Sequence, residues 1–123
     1  MSTDRIWSYA PGIGHKEGQT LTGYTVEASD GTIGHVDRQA DDTPPRHLIV
    51  DTGAWVFGRS LLIPVGMVTR IAERTRVITV RCTRAEAKAA PRFGTDRETL
   101  DPEYLSAVGG YYASLPHESG AAG

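Results

Sequence analysis

The chain has 123 residues, 39% of them hydrophobic and 23% charged, and it carries a formal net charge of -2. This length accommodates one domain with a modest core, and the composition excludes an intrinsically disordered protein. The balance of charge excludes a general electrostatic attraction to nucleic acid or to an anionic membrane.

The first twenty residues show no sustained apolar period, and glycines and a proline interrupt them repeatedly. We therefore expect an irregular arm over residues 1–20, attached to the rest of the chain through Trp7 and Tyr9. The arm lacks the charged-then-apolar pattern of a signal peptide, and no stretch reaches the roughly 20 apolar residues that span a bilayer. These features predict a cytoplasmic protein without membrane insertion.

A β-hairpin is predicted after the arm. Tyr24, Val26 and Ala28 recur at a spacing of two, which is typical of a half-buried strand. Asp30 and Gly31 follow as a turn, in which the glycine can adopt a positive φ.

The returning strand, "TIGHVDRQADD", contains a glycine in its interior. A regular pleat would place Ile33 and His35 on one face and Gly34 and Val36 on the other. Glycine inside a strand is typical of a sharp bend or a bulge. We therefore assign Gly34 a structural role, and we interpret His35 as the next residue along a bent strand.

Further strands are predicted in the middle of the chain. The segment "RHLIVDTG" is apolar and β-branched and predicts a central strand, and Pro64 after "LLI" predicts a strand end or a bulge. "RVITVRC" predicts the last clear strand, with Ile78 and Val80 on one face. The sequence therefore predicts a mainly β fold, a small curled-sheet barrel with five candidate strands over residues 21–91.

Two short helices are predicted toward the C-terminus. "TRAEAKAAP" offers a threonine cap, alanine-rich helix formers and a terminating proline. In the tail, residues 92–123, Asp101 and Pro102 open a helix that we expect to run to about Val108 before Gly109 and Gly110 interrupt it.

The order of these segments resembles the PRC-barrel domain, the β-barrel of the reaction-centre H subunit and of the C-terminal part of RimM-type ribosome-maturation factors. The matching pieces are Asp30-Gly31 with "IGHV", "LIVD", the "LIP" step at Pro64, and the segment from Ala85 to Pro91. The resemblance covers about residues 21–91. It implies an adaptor fold without catalytic residues of its own, used for protein contacts and often for self-association.

Several candidate chemical sites compete with this interpretation. No two of the four histidines, at 15, 35, 47 and 117, have the i, i+4 spacing of a helical metal site. A site assembled from His35 and His47 with Asp37 or Asp51 remains an alternative, and Asp37, Asp41 and Asp42 favour a solvated turn over a cation site. The lone Cys82 is typical of a packing residue in a reducing compartment. We expect no cofactor, metal or small-molecule substrate, and no enzymatic activity.

Two groups of side chains are candidates for a protein interface. Trp55, Phe57 and Arg59 would share a strand face, and tryptophan and arginine are enriched at interaction hot spots. The equal alternative is that Trp55 and Phe57 close one end of the barrel. Tyr111 and Tyr112 belong to an apolar stripe of the tail that packs either on its own barrel or on a second subunit.

The sequence thus predicts a non-catalytic module for protein interaction or assembly that forms a homodimer. An RNA- or ribosome-associated maturation factor is the first alternative, although the net charge argues against nucleic acid as the main partner. A small metal-binding protein or enzyme is the second.

Overall fold

The computed structural model describes residues 4–14, 16, 18–40, 46–53, 60–91 and 101–115. None of the helices in these ranges is long and apolar enough to cross a bilayer. In chain order the elements are a 3₁₀ turn at Asp4–Trp7, β1 Thr25–Ala28, β2 Gly31–Ala40, β3 His47–Asp51, β4 Ser60–Pro64, a 3₁₀ turn at Val65–Met67, β5 Val68–Ala72, β6 Val77–Val80, α1 Arg84–Ala89 and α2 Pro102–Ala113.

The described strands form one mixed sheet of six, in the order β4-β3-β2-β1-β6-β5. Strands β1 to β4 form an antiparallel meander, β5 and β6 form a hairpin, and a parallel ladder between β1 and β6 joins the two. The prediction of a mainly β fold is confirmed. The closed barrel is not observed, because within the described residues no ladder connects the edge strands β4 and β5.

The sheet is nevertheless strongly curled. Strands β4 and β5 lie at opposite edges, which in a flat six-stranded sheet would be about 24 Å apart. The 3₁₀ turn Val65–Met67 links them directly, and the chain from Pro64 to Val68 spans at most about 14 Å. The sheet must therefore bend until its two edges approach each other.

Bulges supply this bending. The pairing of β1 with β2 shifts at Ile33, and the pairing of β2 with β3 shifts at Asp37. A third shift, at Thr69 in β5, places the Thr69 hydroxyl 3.2 Å from the Thr79 carbonyl oxygen, to which it donates. Each extra residue increases the local twist and bends its strand.

The bulge at Ile33 also corrects the predicted faces of β2. Ile33 and Val36 are both buried, whereas His35 is exposed. The expectation that Ile33 and His35 share a face was wrong because the extra residue interrupts the alternation. A bulge also explains why the sequence did not predict β5. Its buried residues Val68 and Ile71 stand three residues apart, so the strand lacks a regular alternation.

One hydrophobic core runs through the described chain. Its members include Val26, Val50 and Ile78 from the sheet, all of them fully buried. Residues of the predicted arm, such as Ile13, and of the predicted tail, such as Tyr112, belong to the same cluster. The arm and tail therefore pack against the sheet and add to its core.

Helix α1 begins with a capping box. The Thr83 hydroxyl accepts from the Glu86 amide at 3.0 Å, and the Glu86 carboxylate accepts from the Thr83 amide at 2.8 Å. The two reciprocal bonds satisfy amides that would otherwise lack partners at the helix start. The predicted short helix with its threonine cap is confirmed.

Helix α2 is longer than predicted. Asp101 caps it and Pro102 occupies its first turn, but it continues through Gly109 and Gly110 to Ala113. The prediction that the glycines end it was wrong, because Gly109 makes room for a contact. A Cβ at that position would lie 3.0 Å from two atoms of the Trp7 indole, so the missing side chain lets the N-terminal turn approach the helix.

Candidate functional site

A surface depression lies at the end of the β2–β3 ladder. Its volume is about 320 Å³, near the lower limit of small-molecule pockets. One wall comes from the bulged start of β2 and the other from the chain that leaves β3. The lining residues are Thr32, Ile33, Gly34, His35, Asp51, Thr52 and Gly53.

Gly34 fixes the shape of this depression. It is buried, and a Cβ built on it would collide with the Asp51 carbonyl oxygen and lie 2.9 Å from the Asp51 carbonyl carbon and 3.0 Å from the Thr52 Cα. Only glycine allows the two backbones to approach this closely. The glycine inside the strand thus serves the contact between β2 and the end of β3 as well as the bend.

The rim of the depression is polar and its floor is buried. His35 and Asp51 are directly opposite each other in the ladder, and both are exposed, as is Thr32. The Asp51 carboxylate accepts a hydrogen bond from the Gly53 amide at 2.9 Å, which starts the turn after β3. Ile33, Gly34 and Thr52 form the buried part of the lining, and Ile33 and Thr52 have 1% and 4% of their surfaces exposed.

The structure places two predicted candidate ligands far apart. His35 pairs with Asp51 at one end of the β2–β3 ladder, and His47 pairs with Ala40 at the other end. Five residues of strand, about 16 Å, separate these positions along β2. No group of three or more histidine, cysteine or acidic side chains is close enough to hold a metal ion in the described ranges.

One group of predicted interface residues stands in the sequence between β3 and β4. Trp55, Phe57 and Arg59 lie outside the described residues. The described residues on either side of this segment are Gly53, which lines the depression, and Ser60, which pairs with Asp51.

The two tail tyrosines occupy different environments. Tyr112 is fully buried in its own chain, which makes it unavailable for a partner. Tyr111 is half-buried, and its hydroxyl donates to the Glu86 carbonyl oxygen at 2.6 Å. Its ring meets that of Tyr112 edge to face, with centroids 5.2 Å apart. The apolar stripe of α2 packs on its own sheet, as one of the two sequence interpretations proposed.

Burial also suppresses the chemistry of the lone thiol. Cys82 is fully buried, and desolvation followed by the nearby Glu86 carboxylate raises its pKa to about 12. Burial is likewise the main cause that raises the pKa of Tyr112 well above its usual value, and the charge of Cys82 adds to it. The sulfur therefore remains a thiol at neutral pH, which suits a packing residue better than a nucleophile.

The remaining predicted structural residues lie at strand ends. Asp30 belongs to the turn between β1 and β2, and its carboxylate accepts from the Arg84 amide at 2.8 Å. Gly31 has a φ of +152°, and the Arg84 side chain passes over it. Pro64 is the last residue of the edge strand β4.

Sequence reasoning missed the residue that attaches the arm. The Gln39 side chain bonds to backbone atoms of Gln19 and Leu21, although these residues lie about twenty positions earlier in the chain. A polar residue near a strand end gives no sequence signal for such a contact.

No protein-family model matches the chain, and no curated protein matches it as a relative.

Proposed function

We propose that the protein is a non-catalytic module for protein interaction and assembly, built on a PRC-barrel-like domain. The curled sheet with edges joined by Val65–Met67 supports the barrel-like part of this proposal. The order of the motifs at Asp30-Gly31, Gly34 and Pro64 supports it as well. A cytoplasmic location fits the single cysteine, whose buried thiol suits a reducing compartment.

The depression beside Gly34 is the observation that carries the proposal. It combines a buried floor at Ile33 and Thr52 with an exposed polar rim at Thr32, His35 and Asp51. Protein interfaces share this arrangement, in which a desolvated centre is surrounded by polar groups. The depression is large enough to receive one apolar side chain of a partner.

We include Trp55, Phe57 and Arg59 in this surface, because they stand in the sequence between Gly53, which lines the depression, and Ser60, which pairs with Asp51. In the proposed mechanism, aromatic side chains provide the buried anchors, and the polar rim selects the partner.

Affinity capture from a native lysate of the source organism, followed by titration with the purified partner, tests the proposal. Trp55→Ala with Phe57→Ala removes the aromatic anchors, and Thr32→Arg fills the mouth of the depression with a side chain that its exposed position tolerates. Thr75→Arg, in the exposed turn after β5, is the matched control. We expect both site variants to weaken binding by at least about tenfold, the effect of losing one hot spot, and the control to bind as the wild type does.

Other outcomes distinguish the alternatives. Equal binding by all variants would overturn the proposed surface. Capture of ribosomal RNA, with an affinity that falls steeply as salt rises, would favour the maturation factor. A stoichiometric metal retained after chelation would favour the metal-binding alternative.

A further inference from the structure

The turn between β1 and β2 contains a chemically reactive dipeptide. Asp30-Gly31 is the only Asp-Gly pair of the chain, and the sequence contains no asparagine. Asp30 is exposed in the turn, and Gly31 has a φ of +152°. Glycine lacks a Cβ, so no side chain hinders the approach of the Asp30 carboxyl group to the Gly31 nitrogen.

This pair can form isoaspartate with water as the only co-reactant. The Gly31 nitrogen attacks Cγ of the protonated Asp30 carboxyl group, and the new N–Cγ bond closes a succinimide ring. The Cγ–OH bond breaks, and the hydroxyl leaves with the amide proton as water. Water then adds to one of the ring carbonyl carbons. Opening at Cγ restores aspartate, whereas opening at the main-chain carbonyl leaves the chain connected through the side chain, as isoaspartate.

A neighbouring segment of the chain holds this turn. The Asp30 carboxylate accepts from the Arg84 amide at 2.8 Å, and the Ser29 amide donates to the Cys82 carbonyl oxygen at 2.9 Å. The Arg84 side chain passes over Gly31, with its Cδ 3.0 Å from the position of a Cβ. Hydrogen bonds to an ionised carboxylate are among the stronger ones in proteins. The turn is therefore fixed at each of its three residues.

These contacts oppose the reaction. Ring closure requires the Asp30 carboxyl group to rotate onto the Gly31 nitrogen, and a carboxylate bound to Arg84 must first leave that partner. Gly31 is also paired with Ala28 at the end of the β1–β2 ladder, which fixes the direction of its nitrogen. Misplacing reacting atoms by an ångström slows a reaction by about 10²-fold, so a fixed turn is a strong restraint.

We propose that Asp30-Gly31 is a site of isoaspartate formation, and that residues 82–84 suppress the reaction while they are bound to the turn. This inference goes beyond the proposed function. Isoaspartate adds a methylene group to the main chain directly before Gly31, so the pairing with Ala28 is lost. Thr32, which follows, lines the depression. The modification would therefore displace part of the rim of the depression.

Isoaspartate measured at position 30 after incubation at neutral pH tests the proposal. The full-length wild type is incubated folded and, as a reference, in guanidinium chloride, where the contacts of the turn are absent. Digestion with a protease that cleaves before aspartate but not before isoaspartate, followed by mass spectrometry, quantifies the product. We expect the folded chain to isomerise at least about tenfold more slowly than the denatured chain.

Two substitutions of Arg84 separate the role of its amide from that of its side chain. Arg84→Pro removes the amide hydrogen. The position tolerates proline because it is the first of α1, and because Thr83 before it is already extended, with a φ of -87° and a ψ of 167°. Arg84→Ala keeps the amide and removes the side chain over Gly31. We expect the proline variant to isomerise at least about threefold faster than the alanine variant, the effect of losing one hydrogen bond.

Thermal unfolding establishes that both variants are folded at the incubation temperature, and the comparison of folded with denatured wild type requires no variant. Absence of isoaspartate in the denatured chain would overturn the assignment of the reactive site. Equal rates in the folded and denatured wild type would overturn the protection. Equal rates in the two Arg84 variants would overturn the role of the Arg84 amide. None of these rates depends on a binding partner, so the capture experiment decides the proposed function separately.

Discussion

Gln39 holds Leu21 as a neighbouring strand would. Its side-chain oxygen accepts from the Leu21 amide at 2.8 Å, and its side-chain nitrogen donates to the Gln19 carbonyl oxygen at 3.0 Å. One amide side chain thereby satisfies a donor and an acceptor of the arm, in the pattern of a backbone ladder. This side chain therefore attaches the arm at a point where no strand of the described sheet pairs with it.

Removing this amide should destabilise the fold. Gln39→Ala leaves both backbone groups without their partner, and we expect the free energy of unfolding to fall by about 1–3 kcal/mol. Urea unfolding followed by fluorescence measures this change. Asp37→Ala on the same strand changes an exposed side chain and should stay within about 0.5 kcal/mol of the wild type. Equal stability of both variants would show that the Gln39 contacts contribute nothing.

The close approach at Gly34 predicts a strong effect of one methyl group. In Gly34→Ala the new Cβ collides with the Asp51 carbonyl, so the end of β3 must move. We expect a loss of at least about 2 kcal/mol, because overpacking is added to backbone displacement. Urea unfolding measures the loss, and altered amide shifts of Thr52 and Gly53 in NMR spectra would locate it. A stability equal to that of the wild type would contradict the observed contact.

The adjacent glycines of α2 should respond with opposite signs. Gly109→Ala pushes against the Trp7 indole, whereas a Cβ at Gly110 meets no atom of the described residues within 4 Å. We expect Gly109→Ala to destabilise the protein by about 1–3 kcal/mol and Gly110→Ala to stabilise it by up to about 1 kcal/mol through helix propensity. Thermal unfolding of the two variants provides the measurement. The same sign for both would show that Trp7 does not pack closely on the helix.

The two neighbouring tyrosines form a second matched pair. The buried Tyr112 hydroxyl has no hydrogen-bond partner among the described residues, whereas the Tyr111 hydroxyl donates to the Glu86 carbonyl oxygen. Tyr112→Phe removes a hydroxyl whose burial is not compensated by a hydrogen bond, so we expect the free energy of unfolding to stay the same or to rise. Tyr111→Phe should lose about 0.5–1.5 kcal/mol. Denaturant unfolding under identical conditions compares the two, and the reverse order would contradict the assigned contacts.

The raised pKa of Cys82 predicts sensitivity to alkali. The folded protein holds this proton up to about pH 12, whereas the unfolded thiol releases it near its ordinary pKa of about 9. Stability from this group is complete below pH 9 and is lost as the pH rises toward 12, by at most about 1.4 kcal/mol per pH unit. Burial also raises the pKa values of Tyr111 and Tyr112, which act in the same direction.

Unfolding measured at pH 8 and at pH 10.5 tests this dependence. The wild type should lose stability between the two values, and Cys82→Ala should lose less. If both proteins show the same pH dependence, the thiol does not contribute to it.

The local parts of the fold could be predicted from the sequence, whereas contacts between distant segments could not. Thr83 and Glu86 mark the start of α1 within four residues, and Asp30 with Gly31 marks the first turn in the same way. The continuation of α2 depends on Trp7, which lies about a hundred residues away. Strand β5 was not predicted, because the bulge at Thr69 removes the alternation of buried and exposed residues on which strand prediction depends.

The candidate site divides in the same way. The sequence indicated a structural role for Gly34, because glycine in the interior of a strand is typical of a bend or a bulge. The neighbouring wall formed by Asp51 and Thr52 carried no signal, since their sequence is that of an ordinary turn. The sequence left open whether Tyr112 packs on its own sheet or on a second subunit, because an apolar helix stripe has the same pattern in both cases.

The parallel ladder between β1 and β6 also has a consequence for folding kinetics. The meander β1 to β4 and the hairpin β5–β6 are each formed from neighbouring parts of the chain. The sheet becomes continuous only when β1 pairs with β6, which brings Thr25 next to Val77. Loop closure over so long a segment is entropically unfavourable until the contacts on both sides are made. We therefore expect the two antiparallel units to form early and the parallel seam between them to be the slow, rate-limiting step.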